Sequence, residues 1–321
     1  MRARIPGLPA ARRGAHPWVL WAALGLVPWP SQAGGQGMPF YTPTALPLPL
    51  AESSIRSFYR HMEMRSLLEN GREVANPQQM RVGVDAVPLM VPQAVTSRTV
   101  LIAAIPYLHT AFEQAGTRRT NRGFGDLVLM VRQTVLAADF IKGNRRMVLF
   151  AGATLPTGET QSDSGLLPMP LRLGVGTVNL MGQAVYSYVN DRLGVHGTLG
   201  YTAATASKFG MRIGDRFGYD LALGYRLFPA TYRTLHDVTM AGYLELDGMV
   251  EQPATQQGAP LANSGGHTLF LSPGLQLIPV PNWAIEGSFQ LPIVRALRGI
   301  QLGPDWSLSV GVRTLLHLFG G

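Results

Sequence analysis

Apolar and polar residues alternate with a period of two along most of the chain after residue 53. The clearest case is WSLSVGVRTLLHLF at Trp306–Phe319, in which large apolar side chains fill one face and Ser, Gly, Arg and His occupy most of the other. The stretches NWAIEGSFQLPI, YDLALGYRL and GDLVLMVRQTV repeat the pattern. A period of two is typical of a β-strand whose two faces meet different surroundings. The pattern therefore predicts an all-β protein.

The alternating segments are long, and their connections alternate in length. Most segments exceed the five or six residues that are usual in a soluble strand. Connections such as 109–123 and 156–177 are long, whereas those at 190–193 and 279–281 are short. Short periplasmic turns and longer outer loops are the arrangement of an outer-membrane barrel. We predict a transmembrane antiparallel up-and-down β-barrel of about 12 strands, at approximately 54–63, 80–91, 97–108, 124–138, 146–155, 178–189, 194–204, 215–227, 239–250, 267–278, 282–294 and 306–319.

A soluble sandwich also alternates, but two observations favour the barrel. Trp283, Trp306 and Tyr107 lie toward segment ends, where membrane barrels carry aromatic girdles. The polar faces contain Gly, Ser and isolated charges, whereas a soluble exterior is dense in Lys and Glu. Because a strand edge in hydrocarbon leaves backbone groups unpaired at several kcal/mol each, the sheet must close.

The N-terminus has the form of an export signal. Four arginines precede the apolar run Trp18–Val27, and the small residues Ser31 and Ala33 follow it. The run has ten residues, too few for a hydrocarbon core that needs about 20. The sequence therefore predicts a cleaved signal peptide and a protein of the bacterial outer membrane, divided into a signal peptide at 1–33, a short periplasmic segment at 34–53 and the barrel at 54–319.

Composition narrows the possible functions. Charged residues make up only 14% of the chain, and no cysteine is present, which excludes disulfides and thiolate metal sites. The formal net charge is +8, and removing the four arginines of the signal peptide, which has no acid, lowers it to +4. The basic balance is thus partly a property of the signal peptide, and we expect no nucleic-acid partner.

Residues 151–159, AGATLPTGE, have nearly the glycine spacing of a phosphate-binding loop. The gap between Gly152 and Gly158 is one residue too long, and Glu159 stands where the phosphate-binding lysine belongs. Pro156 cannot continue a central ladder because it has no N–H, and Gly158 can supply a turn. We therefore interpret the stretch as the end of the fifth strand, where the chain enters an outer loop.

Three short motifs carry a family resemblance. GFGD at Gly123–Asp126 opens a strand, ATLPTGE follows the next strand, and GVGT at Gly174–Thr177 precedes the one after. With the alternating closing strand, they make the chain from Ser54 to Phe319 resemble the outer-membrane proteins grouped under the phenol meta-degradation pathway. Members are usually called transporters. The resemblance implies a small outer-membrane barrel for uptake or export of small molecules, hydrophobic or aromatic ones among them, and it supplies no catalytic or ligand-binding residues.

Charged residues on the strands are expected inside the barrel, because Arg or Lys facing lipid at mid-membrane costs about 2–4 kcal/mol. Twelve strands lie between the eight of a filled barrel and the 16–18 of a broad channel, so a narrow pore and a barrel plugged by ion pairs both fit. The candidate lumen-facing residues are Asp85, Asp126, Arg132, Asp220, Arg226, Glu245, Asp247, Glu286, Arg313 and His317.

No catalytic, cofactor or metal site is predicted, and no cofactor is expected. The histidines show no H-x-x-x-H or H-E-x-x-H spacing, and no G-x-S-x-G motif occurs. HMEM at His61–Met64 together with Met80 suggests soft-metal binding, but wall packing explains it as well. We expect a passive pore, monomeric by default, whose partners are outer-membrane lipids, the barrel-assembly machinery and a small-molecule solute. The alternative is a non-conducting structural or receptor-like barrel whose outer loops bind partners.

Overall fold

Twelve long antiparallel strands form one closed sheet. A computed structural model of the chain describes residues 38–48, 52–162, 165–207, 210–234 and 236–317, so the predicted signal peptide lies outside the described residues. Each strand pairs with its neighbours in sequence, and the first pairs with both the second and the last, which closes the barrel. The strands are β1 Glu52–Met64, β2 Arg81–Ala94, β3 Thr99–Gln114, β4 Leu127–Phe140, β5 Gly143–Leu155, β6 Asn179–Asn190, β7 Leu193–Ala204, β8 Arg216–Phe228, β9 Thr239–Glu251, β10 Gly266–Val280, β11 Trp283–Leu297 and β12 Trp306–His317.

The prediction of a twelve-stranded barrel is confirmed, and each predicted strand overlaps an observed one. The largest difference is at β3, which was predicted to end at residue 108 and continues to Gln114. It continues because Thr117–Phe124 folds back on it as a hairpin, through a turn in which Ala115 and Gly116 both have positive φ. Such turns match the twist of the two strands that they join.

The two ends of the barrel differ as predicted. Turns such as 141–142 and 191–192 have two residues, whereas the connections at the other end hold short strands and the 3-10 helix Met169–Leu171. We assign the short turns to the periplasmic side and the long loops to the extracellular side. Within the described residues, no helix has the length and apolar character that a membrane crossing requires.

The outer surface of the wall is apolar. Along each strand, every second side chain faces outward. Leu89, Leu101 and Val310 are examples, and they are 46%, 46% and 50% exposed. Aromatic side chains flank this band: Trp283 begins β11 at the periplasmic side and Trp306 begins β12 at the extracellular side. An apolar band between aromatic girdles is the surface that a barrel presents to lipid.

The lumen is filled by residues 38–48, here called the plug. The plug forms no strand, and Phe40, Thr42 and Ala45 are buried against the inner wall. Its prolines at 39, 43 and 47 lack a backbone N–H, so the segment cannot pair along its length as a strand. The periplasmic position predicted for residues 34–53 is therefore wrong for residues 38–48, which lie inside the barrel.

Candidate functional site in the barrel lumen

The side chain of Glu245 on β9 binds the plug through three consecutive backbone groups. Its carboxylate accepts the N–H of Phe40 at 2.7 Å, of Tyr41 at 3.0 Å and of Thr42 at 2.7 Å. Glu245 is fully buried, so these hydrogen bonds replace those that its carboxyl oxygens would make with water. The carboxylate of Glu245 thus takes the place of the neighbouring-strand carbonyls that would accept these three N–H groups in a sheet.

Other wall side chains bind the remainder of the plug. The guanidinium of Arg132 donates to the carbonyl of Leu46 at 2.7 Å, and the hydroxyl of Ser187 accepts the N–H of Ala45 at 2.8 Å. The amide oxygen of Gln276 accepts the N–H of Met38 at 2.9 Å. The plug is therefore held by side chains from several strands.

A buried ion pair stands beside the plug. Nε of Arg56 on β1 and a carboxylate oxygen of Glu286 on β11 are 2.5 Å apart, and both side chains are 2% exposed. The same guanidinium donates to the carbonyl of Phe40 at 2.9 Å, and Gln276 donates to Glu286 at 2.9 Å. This network joins the first strand, two late strands and the plug.

A cavity of about 160 Å³ lies between the plug and the extracellular loops. Tyr41 of the plug and Val175 of the third extracellular loop both line it. Gly200 and Gly218 lie next to each other on the inner faces of β7 and β8, and they leave the wall there without side chains. Besides Val175, the apolar side chains that line the cavity are Pro88, Met90, Ala104, Pro106, Val128, Met130, Met181 and Met249.

Two carboxylates share the opposite part of this cavity wall. Asp220 on β8 and Asp247 on β9 are directly paired in register and both line the cavity. One oxygen of Asp247 accepts hydrogen bonds from Ser272 at 2.6 Å and from Gln290 at 3.1 Å. The cavity is therefore amphipathic, because Met90, Met130 and Met181 line it together with the carboxylates of Asp220 and Asp247.

At the extracellular rim, Asp126 joins the three motifs of the family resemblance. Its carboxylate accepts the N–H of Gly158 at 2.8 Å and of Val175 at 2.7 Å, which come from ATLPTGE and GVGT. Gly158 and Gly174 lie so close that an added Cβ on either would overlap the other, so neither tolerates a side chain. Burial raises the pKa of Asp126 to about 6, although the hydrogen bonds lower it.

Comparison with known proteins agrees with this architecture. The model of the family described as "Putative MetA-pathway of phenol degradation" matches residues 90–296, more than half of the chain. The chain belongs to this family. No curated protein matches it.

One solved structure shares the fold of this chain, and two others are less similar. A crystal structure of an outer-membrane channel from Pseudomonas putida F1 superposes with a TM-score of 0.67 at 14% identity, covering 84% of this chain and 97% of that one. The β domain of the Bordetella autotransporter BrkA has a TM-score of 0.43 at 11% identity, with 81% and 99% covered. The monoaromatic hydrocarbon channel CymD has a TM-score of 0.40 at 8% identity, with 83% and 89% covered.

Most of the residues predicted to face the lumen lie on the inner face of this barrel. Arg226 lies at the periplasmic end, where it pairs with Asp191 at 2.9 Å. His317 ends β12, and its side chain lies outside the described residues. Those on the inner face or the rim are Asp126, Arg132, Asp220, Arg226, Glu245, Asp247, Glu286 and Arg313.

The prediction for Asp85 is wrong, because its side chain faces outward. The carboxylate accepts hydrogen bonds from Tyr59 at 2.6 Å and contacts His61 Nδ1 at 2.8 Å and His109 Nδ1 at 3.2 Å. Both faces of β2 are apolar, and the residues with the opposite parity, such as Val84, pack in the core. Alternation alone therefore could not orient this strand.

Sequence reasoning missed Arg56, Arg60 and the plug itself. Arg56 and Arg60 have the same parity on β1 and both are buried, so the run RSFYR did contain the signal for two more charges in the lumen. In HMEM, Met62 and Met64 pack in the core. Within the described residues, no group of three or more His, Asp or Glu is arranged to hold a metal ion.

Proposed function

We propose that the protein is an outer-membrane channel through which small hydrophobic or aromatic molecules diffuse passively. The observation that carries the proposal is the cavity of about 160 Å³ inside a closed wall with an apolar exterior. A cavity of about 150 Å³ lined by apolar side chains holds a benzene molecule in another protein. The family description, which refers to phenol degradation, supports this solute class, and the name of the Pseudomonas putida structure, an outer-membrane channel, supports the role of a channel.

The plug is the gate of this channel in our proposal. It fills the lumen on the periplasmic side of the cavity, so passage requires that it moves. Glu245 accepts three of its backbone N–H groups and Arg132 donates to one of its carbonyls, without the continuous ladder that holds a strand. Lipids of the outer membrane and the barrel-assembly machinery are the partners that insertion of such a wall requires.

The second candidate is a non-conducting barrel with a receptor-like role for its outer loops. The buried and extensively hydrogen-bonded plug favours it, because a sealed lumen conducts nothing. We propose no catalytic role. Ser187 and His196 form the hydrogen bond that most resembles a nucleophile with its base, at 2.8 Å, but both are buried and the serine hydroxyl also binds the plug.

Planar-bilayer recordings separate the two candidates. Protein that lacks residues 38–48 but keeps its export signal is compared with the full chain, and the exposed variant Glu69→Gln controls for the handling of variants. A channel predicts rare or small conductance steps in the full chain and large, persistent ones without the plug. Liposomes that contain the protein should also take up phenol faster than protein-free liposomes. Silence of both proteins, together with unchanged phenol uptake, would favour the non-conducting barrel.

A further inference from the structure

Two carboxylates on the cavity wall have oxygens that receive no hydrogen bond from the described residues. Asp220 and Asp247 face each other across neighbouring strands, at a spacing where paired Cβ atoms are about 4.5–5.5 Å apart. The second oxygen of Asp247 is buried and has no hydrogen-bond partner, and among the described residues none donates to Asp220. Two adjacent carboxylates without a shared cation repel each other and lose solvation.

A third acceptor on the cavity wall also lacks a hydrogen-bond donor, which is independent evidence that the cavity binds a ligand with donor groups. Gln183 on β6 lines the cavity and is only 7% exposed. Its side-chain oxygen is buried and has no hydrogen-bond partner. Gly200 and Gly218 lie between Gln183 and the carboxylates, and they leave the space open. Buried acceptors without donors are rare in folded proteins, and a ligand that brings donors explains them.

The cations nearby are engaged elsewhere. The guanidinium of Arg60 attracts Asp247, but it donates to Ser307 and to Gln290, each at 2.9 Å. Arg216 also lines the cavity, and its charge acts on Glu251, the residue opposite it on β9. Glu245, the acid next to Asp247 on the inner face, is occupied by the backbone of the plug. The carboxylates of Asp220 and Asp247 are thus left to a cation from outside.

We propose that this cavity binds a small amphipathic amine. The ammonium group lies between Asp220 and Asp247, and the apolar body packs against Met90, Met130 and Met181. Methionine suits this role because its flexible, polarizable thioether adapts to ligands of different shape. The inference rests on the proposed function, since the cavity lies on the proposed path, and it narrows the solute class to molecules with an N–H donor group.

Binding of benzylamine and of benzyl alcohol to the purified full-length protein tests the proposal, because the two molecules have nearly the same size and differ in charge. Dissociation constants are measured by calorimetry in one detergent and at one pH. Hydrogen bonds to charged groups predict that benzylamine binds at least about tenfold more tightly. In Asp220→Asn, benzylamine should lose about tenfold in affinity and benzyl alcohol should keep its own. The exposed carboxylate variant Glu69→Gln should behave as the native chain.

A second variant tests whether the ligands bind in this cavity, and it leaves the charge of the cavity unchanged. A Cβ on Gly218 would meet only one backbone oxygen, at 3.9 Å, so Gly218→Val should fold and fill the cavity. It is expected to weaken both ligands to a similar degree. The gel mobility of heated and unheated samples verifies that each variant is a folded barrel.

Three outcomes would overturn the amine assignment: equal affinities for the two probes, no loss in Asp220→Asn, or Ca²⁺ binding that displaces benzylamine and depends on Asp220. If benzyl alcohol binds and phenol still crosses the membrane, only the amine assignment fails. If neither probe binds and phenol uptake is absent, the proposed channel function fails as well.

Discussion

The carboxylate of Glu245 accepts the backbone N–H of Thr42 at 2.7 Å, although 203 residues separate the two in sequence. We predict that Glu245→Ala releases the plug, because three buried N–H groups lose their acceptor and each unsatisfied group costs about 1–3 kcal/mol. Single-channel recordings should show more frequent or larger openings than in the native protein. Glu69→Gln, which changes an exposed carboxylate in the first extracellular loop, is the control. Identical gating of both variants would contradict this role of Glu245.

The ion pair of Arg56 and Glu286 should be a large determinant of stability. Removing one partner of a buried pair leaves an uncompensated charge, which costs about 3–5 kcal/mol, so Glu286→Gln should unfold at markedly lower urea concentration. Replacing both residues with methionine should cost less than the single change. The exposed pair Arg118 and Glu113 is the matched control, with an expected effect below about 1 kcal/mol. An effect of that small size for Glu286→Gln would exclude a structural role for the ion pair.

Asp126 should make the stability of the barrel depend on pH. Its pKa is about 6 in the folded protein against 3.8 in the unfolded chain, so the folded state binds the proton more tightly. The contribution of Asp126 is therefore most favourable below pH 3.8 and is lost as the pH rises to about 6, by up to about 3 kcal/mol. The free energy of unfolding of the native chain, minus that of Asp126→Asn, should fall over this range. A difference that stays constant with pH would exclude the shift.

Asp215 is a control for this prediction, because its pKa is lowered and its effect on stability should change with pH in the opposite direction. Burial raises its pKa, but hydrogen bonds from the N–H of Ala204 and from Arg212 outweigh burial and lower it below 3.8. Its contribution is present above that pH and is lost as the pH falls through the lowered pKa. Asp215→Asn should therefore remove a slope of the opposite direction.

The two tryptophans outside the predicted signal peptide should report both membrane interfaces. Trp283 and Trp306 begin their strands at opposite ends of the wall. The variants Trp283→Phe and Trp306→Phe each leave one tryptophan once residues 1–33 are removed, which mass spectrometry of the mature protein checks. Lipids brominated near the headgroup should quench both fluorescence signals more than lipids brominated at the chain ends. Stronger quenching from the chain ends would contradict the position of the girdles.

Local pattern suffices for most of the wall. The period of two, together with the exclusion of charges from hydrocarbon, predicts the twelve strands and the inward position of residues such as Glu286 and Arg132. Both rules concern residues that are close together along one strand, so they can be applied to the sequence without knowledge of the fold. Where a strand is apolar on both faces, as around Asp85, the period of two cannot tell which face points into the lumen. The orientation of that strand is then decided by its contacts in the folded barrel.

Contacts between distant parts of the chain are decided only in the folded barrel. Residues 38–48 lack strand periodicity, and their burial depends on acceptors such as Glu245 that lie some 200 residues away. Asp220 faces Asp247 only because β8 and β9 pair in one particular register. AGATLPTGE shows both levels: its proline and glycine end a strand by local stereochemistry, whereas the contact of Gly158 with Asp126 requires that the second and third extracellular loops meet. Register and loop docking are properties of the closed sheet, since a shift by one residue would reverse every inward side chain.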